Sequence, residues 1–163
     1  MLLRLETQSC PKEEDIRKTE GLIHTIIRDI GMKQLDVPRV YYVTEPKYNE
    51  GLTGIVPIQT SHIAFHFWNS PDREILCCPE SRCLLQFDLY TCGTLVPAQI
   101  AKVLAHLGQF GPTHAEFTLL NRSVGLTIEK HVRWDSRRGP GWTTWLRRMR
   151  SAGRTRTRRT RKN

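Results

Sequence analysis

The chain has 163 residues, 39% of them hydrophobic, and a formal net charge of +9 at pH 7. A chain of that length suits one domain that buries roughly 70% of its unfolded surface. No run approaches the ~18 apolar residues of a membrane span, and Met1-Leu2-Leu3-Arg4 leads straight into alternating polar residues, so no secretory leader is expected. Membrane-spanning, multi-domain and wholly disordered classes are thereby set aside.

The charge is local. Residues 133–163 hold 12 Lys/Arg against one acid, Asp135, whereas residues 1–132 hold 13 against 15. This predicts a near-neutral folded domain over 1–132 and a basic, disordered C-terminal extension over 133–163. The five cysteines are Cys10, Cys77, Cys78, Cys83 and Cys92. An odd count without a leader predicts a cytoplasmic protein with mostly reduced thiols.

In chain order, residues 2–8 read as a strand. Cys10-Pro11 opens a helix over 12–30, with Glu13, Glu14 and Asp15 in its first turn and Gly31 as C-cap. Ile16, Ile23, Ile26, Ile27 and Ile30 form its apolar face. Strands follow at 40–43, 52–58, 62–68 and 84–91, with Pro57 marking an end or bulge. Thr94 is suited to cap a second helix that has Pro97 in its first turn and Gly108 at its end. Further strands are expected at 114–120 and 124–132, and a short basic helix at 142–150. This order predicts an α+β two-layer sandwich, an antiparallel sheet with two helices packed on one face.

Chemistry concentrates in Ser61-His62-Ile63-Ala64-Phe65-His66 and in Asp88-Leu89-Tyr90-Thr91-Cys92-Gly93. Residue types alone also suit a core strand with a satisfied histidine and a small buried thiol. The order of the residues resembles the bacterial-type S-adenosylmethionine decarboxylases, a pyruvoyl-enzyme family. The resemblance runs from about Leu3 to Leu120, which makes 1–132 a domain like theirs. It implies that the Ser61 hydroxyl attacks the Thr60 carbonyl, that the chain splits between Thr60 and Ser61, and that residue 61 becomes a pyruvoyl group whose ketone forms a Schiff base with the substrate amine. It further implies His66 as the base in processing, Thr53 as the assisting hydroxyl and Cys92 as the proton donor after CO2 leaves. Tyr48 lies near the position of an aromatic that stacks on adenine. The substrate would be S-adenosylmethionine, the product the aminopropyl donor for spermidine, and the assembly a homodimer with active sites near the subunit interface.

Strict alternation places Ser61 with Ile63 and Phe65, and His66 on the opposite face with His62. A bend or bulge at Ser61 is required for the two to meet. The sequence also departs from the family pattern. Thr60 stands where glutamate is usual, and Phe67-Trp68-Asn69-Ser70 replaces a Thr-Trp-Pro-Glu-like run. The lost acid would bind ribose hydroxyls, and Asp72 or Glu74 replaces it only if the loop folds back. The loop from Asn69 to Cys83 is long, and its Cys77-Cys78-x4-Cys83 spacing lacks the paired knuckles of a zinc site, so no metal site is assigned and its thiols are expected to be exposed or half-buried. His24 and His106 read as ordinary helix residues, and His114 and His131 carry no assignment.

Two other readings stand beside the decarboxylase. One keeps the fold with changed chemistry, acting on another amino acid or cleaving S-adenosylmethionine as an unprocessed lyase. The other is a dead core whose Arg-rich 139–163 tail binds nucleic acid through phosphates without reading sequence.

Overall fold

The computed structural model describes residues 1–121 and 125–151, without the side chain of Ser151. Its elements are β1 (Leu2–Thr7), α1 (Ile16–Asp29), β2 (Arg39–Val43), β3 (Gly51–Ile58), β4 (Ser61–Trp68), β5 (Cys83–Thr91), α2 (Pro97–Leu107), β6 (Pro112–Asn121), β7 (Thr127–Asp135) and α3 (Trp142–Ser151). All seven strands join one antiparallel sheet in the order β2-β3-β4-β5-β1-β6-β7. This is the expected α+β sandwich, with a third helix in its helical layer.

Alternation builds the layers. Leu3 and Leu5, then Ile63, Phe65 and Phe67, then Leu85, Phe87 and Leu89 are all buried. They share one core with Ile23, Ile26 and Ile27 of α1 and Val103 and Leu104 of α2. The intervening residues face the other way, and the register lines them up in rows. His66 lies level with Thr53 on β3 and Gln86 on β5. His62 lies level with Pro57 and Tyr90. Tyr41 and Ile55 on this second face are 59% and 51% exposed, so the sheet has an open side.

Local signals explain the element ends. Gly31 has a φ of +72°, the left-handed geometry that closes a helix and that glycine adopts without steric cost. The first turn before α1 is a 3-10 turn, Glu13–Asp15, because the Asp15 carboxylate takes the Lys12 N–H at 3.0 Å. The N-cap of α2 is Val96, not Thr94: Gln99 Oε1 accepts the Val96 N–H at 3.0 Å and Pro97 takes the first position. Past α2 the chain winds one 3-10 turn further and stops at Gly111, with a φ of +66°. Pro57 lies beyond the part of β3 that pairs with β2, where its missing N–H costs no ladder bond.

Two expectations are corrected. The chain stays folded well past 132, where a disordered extension was expected. β7 runs to Asp135, and α3 packs against α2 with Trp145, Leu146 and Met149 buried. Trp134, Trp142 and Trp145 form a cluster with ring centroids 4.9–6.0 Å apart. Trp142, Trp145, Leu146 and Met149 give this helix an apolar face that its basic composition masks. Residues 152–163, which carry most of the Arg/Thr run and the nucleic-acid reading, lie outside the described residues. Of the loop thiols expected to be exposed or half-buried, Cys77 is exposed, but Cys78 is buried and Cys83 is buried in a disulfide with Cys10; Cys77, Cys78 and Cys92 are free. No helix among the described residues is long and apolar enough to cross a membrane.

The tryptophan cluster gives the first prediction. Trp145→Ala removes a large buried ring from the core and should cost about 3–5 kcal/mol. Thermal unfolding measures it as a melting point lowered by many degrees, whereas a solvated basic tail would leave the melting point unchanged.

Candidate active site

The β3–β4 hairpin turns through two residues, Gln59 and Thr60, with Ile58 paired to Ser61. Ser61 has a φ of +156°, and it is the one non-glycine residue with positive φ among the described residues. Backbone held there costs on the order of 1–3 kcal/mol and persists only where its surroundings impose it. The surroundings are the end of β5: Ser61 pairs with Thr91, and the hydroxyls of Thr60 and Thr91 share a hydrogen bond of 3.0 Å. The backbone N–H of Cys92 donates to the Thr60 carbonyl at 3.2 Å. Ser61 thus has an unusual backbone, but β4 keeps an unbroken register from Ser61 onward, so the bulge expected to bring Ser61 and His66 together is not formed. The carbonyl on the N-terminal side of Ser61 is held by a donor from the Asp-Leu-Tyr-Thr-Cys-Gly segment.

Ser61 Oγ shares a hydrogen bond of 3.1 Å with Nδ1 of His62. The His62 ring stacks on Tyr90, 5.3 Å away and 7° from parallel. His62, Asp88, Tyr90, Cys92, Leu95 and Glu129 line a cavity of about 620 Å³ beside the hairpin, a size in the range that holds small ligands. Cys92 is a free, exposed thiol at its edge.

His66 lies elsewhere. Five residues of extended chain separate it from Ser61, about 16 Å along the strand. It forms a second group with Thr53, its directly opposed neighbour on β3. Nε2 of His66 donates to the Asn49 carbonyl at 3.2 Å, which leaves Nδ1 as the basic nitrogen. The ring packs edge-on against Trp68 at 4.2 Å. Burial lowers the His66 pKa below the ordinary histidine value, only partly countered by the Asn49 carbonyl. Thr53 Oγ1 donates to the Phe65 carbonyl at 3.3 Å. Thr53, His66, Asp88, Gln86, Tyr41 and Arg39 line a shallow groove of about 360 Å³ on the open face. Gly51 starts β3 at this end, and a Cβ there would meet the Phe67 carbonyl oxygen at 1.8 Å; glycine thus permits the close approach of β3 to β4 beside His66.

Tyr48 belongs to the His66 end as well. It sits in the 3-10 turn before β3 and is 76% exposed. Asp72 caps the 3-10 turn at Arg73–Ile75, where its carboxylate accepts the Glu74 N–H at 3.1 Å. That loop leaves β4 at Trp68, the end of the strand opposite Ser61, so it does not fold back toward the hairpin. Within one chain the candidate residues thus form two groups: Thr60, Ser61 and Cys92 at one end of β4, and Thr53, His66 and Tyr48 at the other.

Sequence reasoning missed His62 as the residue touching Ser61, although it stands next to it in the motif. It also missed Glu6. This carboxylate is fully buried and accepts from Arg4, from the Cys77 and Cys78 N–H groups at 2.8 and 3.0 Å, and from Ser81 at 2.8 Å. Burial pushes its pKa up, but these donors outweigh it and hold the group at about 2. A lone Glu in an amphipathic strand carries no signal of that role, because all its partners but Arg4 lie some 71–75 residues away.

A family model described as S-adenosylmethionine decarboxylase matches residues 2–123, three quarters of the chain. No curated protein and no solved structure matches it.

Proposed function

The chain belongs to the S-adenosylmethionine decarboxylase family, and from that premise we propose a self-processing, pyruvoyl-dependent decarboxylase that converts S-adenosyl-L-methionine into the aminopropyl donor for spermidine synthesis. One observation carries the self-processing: the Thr60 carbonyl accepts the Cys92 N–H at 3.2 Å beside a Ser61 whose φ is +156°. A donor already aimed at the attacked carbonyl stabilises the oxyanion that forms there. Strain at Ser61 is relieved when the peptide bond opens.

The processing balances within the chain. Ser61 Oγ attacks the Thr60 carbonyl carbon, the C–N bond breaks, and the amine of residue 61 takes the hydroxyl proton. A base then removes the Cα proton of residue 61. The Cβ–O bond breaks and Thr60 leaves as a carboxylate. Water hydrolyses the remaining enamine, in its imine form, to the ketone and ammonia. The pyruvoyl ketone supplies the electron sink that no standard side chain offers. Ser61, the held carbonyl and the adjacent cavity fit its formation. Cys92 gives its N–H to Thr60 and lines the cavity, which supports its thiol as the group that returns a proton after CO2 leaves.

The proposed homodimer resolves the separation of the two groups. A symmetric pair that brings the open sheet faces together would set Ser61 of one protomer against Thr53 and His66 of the partner subunit. Exposed Tyr41 and Ile55 on that face support such an apposition. The partner subunit's His66 would then act through Nδ1 as the base, with Tyr48 beside the substrate.

A pH dependence follows. Because the pKa of His66 is lowered, its imidazole is neutral, and basic, at neutral pH and remains so below the ordinary histidine value. The rate of chain cleavage should be flat above neutrality and fall only on the acid side of an ordinary histidine titration. Timed mass spectra across pH measure it; a fall that begins above neutrality would remove His66 as the base.

Substrate and reaction are tested with S-adenosylmethionine labelled in its carboxyl group. Labelled CO2 supports the decarboxylase. Methylthioadenosine without CO2 replaces it with the lyase reading.

A further inference from the structure

Far from Ser61, one row of the open face runs Trp68, Leu84, Glu6, His114 and Asp135, each directly opposite the next or at the same level. The long loop after β4 covers this row. Arg73 reaches the Ser81 carbonyl at 2.8 Å, Ser81 bonds Thr113 at 2.7 Å, and Arg137 reaches the Cys77 carbonyl at 3.3 Å. The covering sets Cys78 over His114 and Asp135, and their ligand atoms all lie within 4.8 Å of one another.

His114 is 7% exposed, and neither of its ring nitrogens has a hydrogen-bond partner. Burying an imidazole with both nitrogens unanswered costs free energy that a native structure ordinarily recovers through a partner. Cys78 is 1% exposed, and its thiol makes one weak contact, donating to the Thr113 carbonyl at 3.6 Å. Asp135 is held by Arg137, through its backbone N–H at 2.8 Å and its guanidinium at 2.9 and 3.2 Å. A carboxylate has about four lone-pair sites, so Arg137 orients Asp135 without exhausting it. The Glu6 carboxylate on the same row is already committed to its four donors.

We propose that Cys78, His114 and Asp135 form a zinc site that fastens the loop after β4 onto β6 and β7. One sulfur, one nitrogen and one oxygen ligand suit Zn²⁺, and water completes four-coordination. Ligand atoms around tetrahedral zinc stand about 3.5 Å apart, so a closure of roughly an ångström from the present spacing forms the site. Its burial and its ligand from the covering loop give it the role of a fastener. It is separate from the Thr60–Ser61 hairpin and stands or falls without it.

Tag-free full-length protein, stripped with a chelator, is titrated with Co²⁺ as the probe and then with Zn²⁺. The site predicts one equivalent of cobalt, a near-ultraviolet thiolate-to-cobalt band, and loss of that band on adding zinc. Cys78→Ser removes the band, His114→Gln weakens cobalt binding at least tenfold, and Cys77→Ser and Cys92→Ser retain both. If Cys78→Ser or His114→Gln does not fold, the imidazole NMR signals of His114 in the unsubstituted protein decide: they move at one equivalent of zinc. No thiolate band, a band that survives Cys78→Ser in folded protein, or bound zinc with unmoved His114 signals overturns the site.

Discussion

Ser61→Ala should yield a single, permanently uncut chain with no decarboxylation of S-adenosylmethionine. The substitution removes only one oxygen atom at a half-buried position, so the fold should survive, and an unchanged thermal melt checks that it does. The loss is total because the hydroxyl oxygen is both the nucleophile that opens the Thr60–Ser61 bond and the leaving atom on Cβ whose departure turns residue 61 into the precursor of the ketone. No neighbouring group can replace it. His62 shares a hydrogen bond with this oxygen but cannot supply a leaving group on Cβ of residue 61. A folded Ser61→Ala variant that still releases CO2 would remove the pyruvoyl mechanism altogether.

Two inactive variants should restore each other. Ser61→Ala alone lacks the nucleophile and His66→Ala alone lacks the proposed base. If His66 serves the hairpin of its partner, a mixed dimer contains one complete site: Ser61 from the His66→Ala chain facing His66 from the Ser61→Ala chain. Co-expression at equal levels should therefore cleave about a quarter of all chains, the statistical yield of a two-fold pair. If His66 acted within its own chain, mixed dimers would contain no complete site and cleavage would stay at zero. The argument rests on strand geometry. Residues five apart on β4 stand about 16 Å apart, and the Asn49 carbonyl and Trp68 fix His66 in place, so no side-chain rotation brings it to Ser61.

Much of this was legible in the sequence for a simple reason: strands with one buried face alternate. Ile63, Phe65 and Phe67 against His62, Ala64 and His66 set both the core and the open face. Gly31 and Pro97 mark helix ends because their backbone chemistry admits few other places. The third helix was expected at 142–150 and is present, but its packing was not legible: its arginines signal solvent, while Trp142 and Trp145 acquire meaning only once Trp134 of β7 is beside them. The disulfide was hidden for the same reason. Cys10 and Cys83 are 73 residues apart, and only the pairing of β1 with β5 brings their neighbourhoods together. The cluster of Cys78, His114 and Asp135 depends on the register that sets His114 opposite Asp135. Motif spacing reads ligands that are near in sequence, and these are near only across the sheet. The candidate site residues fall between these cases: the motif that proposes them was readable, but its division between two ends of β4 was not, because a linear motif does not show how far apart an extended chain carries its members.

The disulfide also shapes the decisive measurement. Cys10 lies before the proposed cut and Cys83 after it, so a cleaved protein stays covalently joined until it is reduced. The purified protein should be reduced, denatured and weighed intact by mass spectrometry. The account predicts two species, residues 1–60 and residues 61–163, the second with a blocked amino terminus, where the unreduced sample gives one joined species. A single uncut chain of 18.9 kDa, persisting after reduction and long incubation, would contradict it.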